Sequence, residues 1–386
     1  MHLLSHSFPS GLTFAHSLCY TDKKVDRTCT IQMKKKVTIQ DIADALGISR
    51  NTVSKAINNS GGLADATREK ILQKAIEMGY KQFSYVSTLT NIVSPASPVE
   101  SDVSGFLGEI ALLTTAFLTQ SHFASTMLDK FQQEVSQLGY TMNTHRVTDD
   151  NLCTLSLPVT FVRERVSAII CIEMFDPAYD RMVCDLGIPV LFVDGPSKRF
   201  GESLPADQLY MDNATGIMRF VNDMLRSGHR CIGFIGDYNH CQSFFERYAA
   251  FRLAMLTAGV PVDERFCICS NKREDMAEVL NSLPSLPDVF ICANDFIAVD
   301  AIRALYSIGK NVPGDVGILG FDDSPESRIS RPAMSTVHIH TQIMAFSAVH
   351  LLLSRMKEPS LDYRIVHTET DLIYRASTDG MVLTET

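Results

Sequence analysis

The sequence predicts an all-α helix-turn-helix head followed by an α/β body whose parallel sheets form two lobes. Three observations predict it. Residues 37–58 hold two short helical patterns around a tight turn. Residues 82–107 then lose all sustained period, are rich in Ser, Thr and Val, and contain Pro95 and Pro98, as a linker would. From Gly108 onward, apolar runs of strand length alternate with amphipathic helical stretches.

The head reads VTIQDIADALGISRNTVSKAIN from Val37 to Asn58. Ile39, Ile42, Ala43 and Leu46 recur at helical spacing and give the first helix one apolar face. Gly47 ends it, because glycine accepts the positive φ of a sharp turn. Ile48 fills the corner, and Ser49 stands where a side-chain oxygen caps the next helix. That helix, Arg50 to Asn58, turns Val53, Ala56 and Ile57 inward and leaves Arg50, Asn51, Thr52 and Lys55 outward. A hydrogen-bonding face on the second helix of such a pair is what major-groove reading requires. An ordinary helical hairpin is the competing reading.

The body carries six apolar runs: EIALLT at Glu109, VSAIICI at Val166, PVLFVD at Pro189, CIGFIGD at Cys231, DVFICAND at Asp288 and VGILGFDD at Val316. Helix candidates such as HFASTMLDKFQQEVSQLG from His122 and NATGIMRFVNDMLRSG from Asn213 follow all but the last. This alternation predicts parallel sheets flanked by helices, and six runs in this length suit two lobes better than one.

The net charge of −9 is unevenly spread. Residues 33–90 carry nine Lys and Arg against five Asp and Glu, whereas residues 91–386 carry 23 against 37. A polyanion is attracted to the head and repelled by the body. The ten cysteines show no paired CxxC spacing for zinc, and several lie inside strand patterns, which suits a reducing cytoplasm. No apolar run reaches membrane-spanning length, and residues 1–32 do not read as a signal peptide.

The head segment, with TREKILQKAIEMGY from Thr67, resembles the head-piece of the lactose-repressor (LacI/GalR) family. The resemblance continues through SGHRCIGFIGD at Ser227, ERYAAFRLAMLTAG at Glu246, ICANDFIAVDAIRALYSIGKNVPGDVGILGFDD at Ile291, RPAMSTV at Arg331 and LIYRAST at Leu372. It implies a two-lobed body like the periplasmic sugar-binding proteins, with three crossovers and a ligand cleft between the lobes. The expected domains are an extension over 1–32 that is non-native or disordered, with Met33 as the natural start, then a DNA-binding head over 33–81, a hinge and linker over 82–107, and a body over 108–386 that binds effector and dimerises. The first lobe would take about 108–212 plus 336–362, and the second 213–335 plus 363–380.

Strand ends are where open α/β sheets bind ligands, and here they carry Asp194, Asn294 and Asp322. Carboxylates accept and Arg donates, so such groups bind neighbouring sugar hydroxyls. By resemblance, Arg247 contacts the effector, Asp194, Asn294 and Asp322 occupy other cleft positions, and Phe123 lines the cleft. Arg247 could instead serve a structural ion pair, Asp323 brace a loop, and Asp295 cap the helix after it. His338 and His340 invite a zinc reading, but no further ligand stands at matching spacing. Asp322-Asp323 invites a catalytic one, but no activated nucleophile or phosphate-cradling loop accompanies it, so no enzyme activity and no cofactor are expected.

On DNA, Arg50, Asn51 and Lys55 are expected to read bases. Thr38, Ser49, Thr52, Ser54 and Asn58 complete the expected DNA-binding set, with Thr38, Thr52 and Ser54 assigned to phosphate. Leu89 falls on the family's hinge leucine, which wedges into the minor groove. The resemblance implies a cytoplasmic homodimer on a double-stranded operator, controlled by a small-molecule effector of carbohydrate type, with no membrane partner. The rival reading is a solute-binding transport protein with the same body; it would need a secretion signal and no DNA-reading head.

Overall fold

The structure is a computed structural model that describes residues 38–57, parts of 67–78, and residues 107–115, 122–197, 203–270 and 276–381. The chain divides into two compact units, residues 1–83 and 84–386. The expected extension over 1–32, most of the hinge and linker, Asn58 and Leu89 lie outside the described residues.

In the first unit, helix α1 (Ile39–Leu46) and helix α2 (Arg50–Ile57) are joined by a turn in which Gly47 takes φ +65°. Ile42, Ala43, Val53 and Ala56 are buried, and Ile71 and Ala75 of a further helical stretch close the same small core. The α1 start holds a device the sequence reading did not assign. The Asp41 N–H donates to Thr38 Oγ1 at 3.2 Å while Asp41 Oδ2 accepts from the Thr38 N–H at 2.7 Å. This reciprocal box satisfies two end groups that the helix itself cannot.

The second unit is built on two parallel sheets. The first contains β1 (Gly108–Thr114), β2 (Tyr140–Arg146), β3 (Val166–Ile172), β4 (Val190–Val193), β5 (Asp207–Met211) and, late in the chain, β11 (Ile365–Thr368), in the order β11-β5-β4-β3-β1-β2. All its pairings are parallel. Helices α3 (His122–Gln137), α4 (Asp149–Thr154) and α5 (Pro177–Cys184) fall between its strands. β1, β3, β4 and β5 are buried almost throughout, which accounts for runs that are apolar rather than alternating.

The chain then enters α6 (Thr215–Arg226) and the second sheet, β7-β6-β8-β9, also wholly parallel. Its strands are β6 (Ile232–Ile235), β7 (Cys267–Ile268), β8 (Val289–Cys292) and β9 (Gly317–Leu319), with helices α7 (Gln242–Thr257), α8 (Met276–Ser282), α9 (Asp295–Ser307) and the short α10 (Pro325–Ile329). β10 (Thr336–Ile339) runs antiparallel to β12 (Thr370–Ile373). Between them α11 (Thr341–Lys357) returns to pack on α3 and on the first sheet. The chain therefore passes between the sheets three times, near Asp212, His340 and Glu369.

One boundary differs from the sequence reading. Residues 363–380 were expected with the second lobe, but β11 pairs in register with β5 of the first sheet. The physical reason is Asp207, fully buried at the start of β5. It accepts from Arg355 at 3.0 and 3.1 Å and from Arg364 at 2.7 Å, so it clamps the end of α11 and the approach to β11 onto the first sheet. A buried carboxylate needs such partners, and two guanidiniums supply them.

Candidate functional site

The head presents its second helix as expected. The Thr52 N–H donates to Ser49 Oγ at 3.1 Å, and the two hydroxyls lie 2.8 Å apart, so Ser49 caps α2. Arg50, Asn51 and Lys55 are exposed, while Thr52 and Ser54 are half-buried. Thr38 is exposed but spends its side chain on the α1 capping box.

In the body, the ends of β4 and β9 converge on α7. Asp194 and Asp322, one and three residues past their strands, take φ +59° and +122°. Left-handed backbone at non-glycine residues is uncommon and collects at functional sites. Arg247 on α7 is 3% exposed. Its Nε donates to Asn213 Oδ1 at 2.9 Å, its Nη1 donates to the Ala293 carbonyl at 2.6 Å, and its plane lies 3.5 Å from the Phe321 ring centroid. Asp322 Oδ1 stands 3.8 Å from Nη1, too far for a hydrogen bond. Arg247 is therefore oriented by a neighbouring amide, a carbonyl and a ring rather than by a tight ion pair.

Asp194 crosses between the sheets. Its Oδ1 accepts from the Gly195 N–H at 2.9 Å and from the Ser243 N–H, in the first turn of α7, at 3.2 Å. Cys241, the residue that precedes α7, supplies no side-chain cap, so a carboxylate from the other sheet occupies the positive end of that helix. Burial pushes the Asp194 carboxyl above the ordinary carboxylate range, against the pull of the Gly195 N–H, Arg247 and Ser243. Burial likewise pushes Asp322 well up; Arg247 opposes it, and Asp295, Glu173 and Asp194 add to it.

Asn294, rather than Asp295, caps the helix that follows. Asn294 Oδ1 caps α9 by accepting from the Ile297 N–H at 2.9 Å. Asp295 is fully buried and accepts instead from the Ser324 N–H and from Thr336 Oγ1, each at 2.7 Å. The cap is the residue with extended backbone just outside the helix, and that residue is Asn294, at φ −151°. Phe123 is half-buried and packs on the core, and the contacts described do not bring it to Arg247. Asp323 braces: Arg328, Arg375 and His338 lie at 2.6, 2.5 and 3.0 Å. His340 pairs with Asp371 at 3.1 Å. Among the described residues no cluster could hold a metal ion.

Sequence reasoning missed Asn213, Glu246, Ser243 and Phe321. Asn213 Nδ2 donates to Glu246 Oε2 at 2.8 Å, and Gln242 Nε2 donates to Glu246 Oε1 at 2.9 Å, so Glu246 fixes the amide that fixes Arg247. His367 reaches the same carboxylate at 3.7 Å and stacks on Tyr210. Glu246 and Arg247 are adjacent within the ERYAAF motif, and that adjacency was the available signal.

Family models match both units: "Bacterial regulatory proteins, lacI family" over residues 38–82 and "Periplasmic binding protein-like domain" over 221–378. The chain thus joins a lacI-family head to a periplasmic binding protein-like body. It is 24% identical over 348 residues to the HTH-type transcriptional repressor PurR of Vibrio parahaemolyticus serotype O3:K6, an alignment covering 88% of this chain and 97% of that protein. The fold is that of the transcriptional regulator CelR in its cellobiose complex, at TM-score 0.61 and 22% identity, covering 89% of this chain and 100% of that one. It is also that of the lac repressor dimer bound to operator and the anti-inducer ONPF, at TM-score 0.58 and 20% identity, covering 89% and 99%. No helix among the described residues is long and apolar enough to cross a membrane.

Proposed function

We propose that this chain is a sequence-specific DNA-binding transcription regulator of the LacI family, acting as a repressor in the bacterial cytoplasm. Its operator affinity is controlled by a sugar or sugar derivative bound between the two lobes. The observation that carries the reading is the presence in one chain of the lacI-type head and of a body built around an oriented Arg247. Arg50, Asn51 and Lys55 read bases in the major groove, while Thr38, Ser49, Thr52 and Ser54 face the backbone. The lac repressor on its operator supports a homodimer on a pseudo-palindromic site, and the CelR–cellobiose complex supports a carbohydrate effector.

In the body, Arg247 donates to ligand hydroxyls while Asp194, Asp322 and Asn294 accept from or orient them. Asp194 also holds the first turn of α7. A ligand that competes for that carboxylate changes how the lobes meet, and linkage passes the difference to DNA affinity. No catalytic role is assigned to any residue. The transport reading gives the head nothing to do.

Selection of duplexes from a random-sequence pool, followed by titration of the bound duplex with mono- and disaccharides, tests the proposal. Specific duplexes released or tightened by one sugar are expected. Sequence-indifferent binding would refute the operator reading, and indifference to every sugar would refute the carbohydrate reading.

A further inference from the structure

A cavity lies in the first lobe, away from Arg247. It has a volume of about 110 Å³ and is walled by Arg181, Phe192, Ser197, Leu204, Gln208 and Tyr210. Two neighbouring elements build it. Gln208 and Tyr210 stand two apart on β5 and so share one face of the sheet. Arg181 comes from α5, which packs over that face beside Phe192 of β4.

The polar groups of this cavity are arranged as donors. Tyr210 Oη donates to Gln208 Oε1 at 2.9 Å, which directs the Gln208 amide N–H groups elsewhere. Gln208 is 2% exposed, so this is an interior amide and not a surface one. Among the described residues Ser197 Oγ is buried without a hydrogen-bond partner, an arrangement that native interiors rarely tolerate unless water or a ligand completes it. Arg181 stands exposed at the rim, its Nη2 donating to the Ser203 carbonyl at 3.4 Å. The described lining contains no carboxylate, and Phe192, Leu204, Pro177 and Pro196 make the rest of it apolar.

We propose that this cavity is a second ligand site, for a small organic carboxylate. Its carboxylate would meet Arg181, Ser197 Oγ and the Gln208 amide, and its short apolar stem would lie against Phe192 and Leu204. A cation with neutral donors, and no acid among the described lining residues, selects an anion. The apolar walls select an organic one over a fully hydrated inorganic ion. The cavity volume limits it to a few non-hydrogen atoms. The site shares a wall with the cleft: Gly195 lines it, while its N–H donates to Asp194 and its carbonyl accepts from Gln242 at 2.9 Å.

Calorimetric titration of the full chain with propionate, lactate and pyruvate tests this, against sodium chloride at matched ionic strength and against inorganic phosphate. Saturable binding of one carboxylate per chain is expected, weakened at least about tenfold by Arg181→Gln. It should be weakened also by Ser197→Ala and retained by Arg247→Lys. Because Arg181 is exposed, Arg181→Gln keeps the fold, and circular dichroism verifies this. No binding beyond the chloride control overturns the proposal. So does equal affinity in Arg181→Gln, preference for phosphate, or loss only in Arg247→Lys, which would place the carboxylate in the main cleft.

Discussion

Asp322 and Asp323 are adjacent in the chain and electrostatically opposite. Asp322 faces a single guanidinium at 3.8 Å, and burial drives its carboxyl well up. Asp323 is buried too, but hydrogen bonds from His338, Arg328 and Arg375 outweigh that burial and hold its carboxyl well below the usual range. The one-residue step at the end of β9 thus separates a group awaiting a partner from one already satisfied. The two substitutions should therefore have opposite pH signatures. A lowered folded pKa adds stability above the unfolded value of about 4, lost as pH falls through it. Asp323→Asn should cost about 3 kcal/mol near neutral pH, with the gap from wild type closing in acid. A raised folded pKa acts the other way, favouring the fold below pH of about 4 and less as pH rises. Asp322→Asn should therefore gain on wild type as pH increases. Melting curves from about pH 2 to 8 check both: the Asp323→Asn gap should close below about pH 4 and the Asp322→Asn gap should change above it, and curves parallel to wild type throughout would contradict the assignment.

Arg247 can now be given a two-part prediction. Arg247→Ala leaves Asn213 Oδ1 and the Ala293 carbonyl without their donor, and should cost roughly 2–3 kcal/mol as well as the ligand response. Arg247→Lys keeps the charge but loses the forked donors and the stacking on Phe321. It should recover part of the stability while ligand binding remains lost. Denaturant unfolding and ligand titration of both variants separate the roles; a lysine variant that binds ligand as wild type would show that the fork is not used.

Asp295 depends on a close backbone approach. A Cβ on Gly320 would stand 2.2 Å from Asp295 Oδ1 and 3.1 Å from the Met334 methyl. Asp295 cannot swing away without breaking its bonds to Ser324 and Thr336. Gly320→Ala should therefore destabilise the body by at least about 1–3 kcal/mol. A melting temperature unchanged from wild type would show that the end of β9 yields more easily than these bonds suggest.

What the sequence made legible follows the burial of each element. β1, β3, β4, β6, β8 and β9 are covered on both faces, so each reads as an apolar run. β2 reads YTMNTHR because it is an edge strand and largely exposed. β5 opens with Asp207 and Gln208, buried polar groups; the partners of Asp207 lie about 150 residues further on, where local periodicity cannot see them. Missing β5 hid its exit as well, and with it Asn213. Asp194 and Asp322 were expected at the site because they end recognisable runs, and Arg247 because the ERYAAF segment resembles its family counterpart. The cap expected of Asp295 falls on Asn294 through a single residue of helix register, which composition does not resolve.

The head permits a separation of folding from reading. Ser49 and Asn51 lie two residues apart at the start of α2, yet Ser49 is tied to Thr52 while Asn51 is exposed. Ser49→Ala removes a cap and should destabilise the head by roughly 0.5–2 kcal/mol, weakening every DNA sequence alike through the folded fraction. Asn51→Ala should leave the head's melting unchanged. It should cost roughly 1–3 kcal/mol on the preferred operator and relax preference at one base position. Binding of both variants to the preferred duplex and to its single-base substitutions decides the matter. If Asn51→Ala weakens all sequences equally, its amide contacts the backbone, and base reading passes to Arg50 and Lys55.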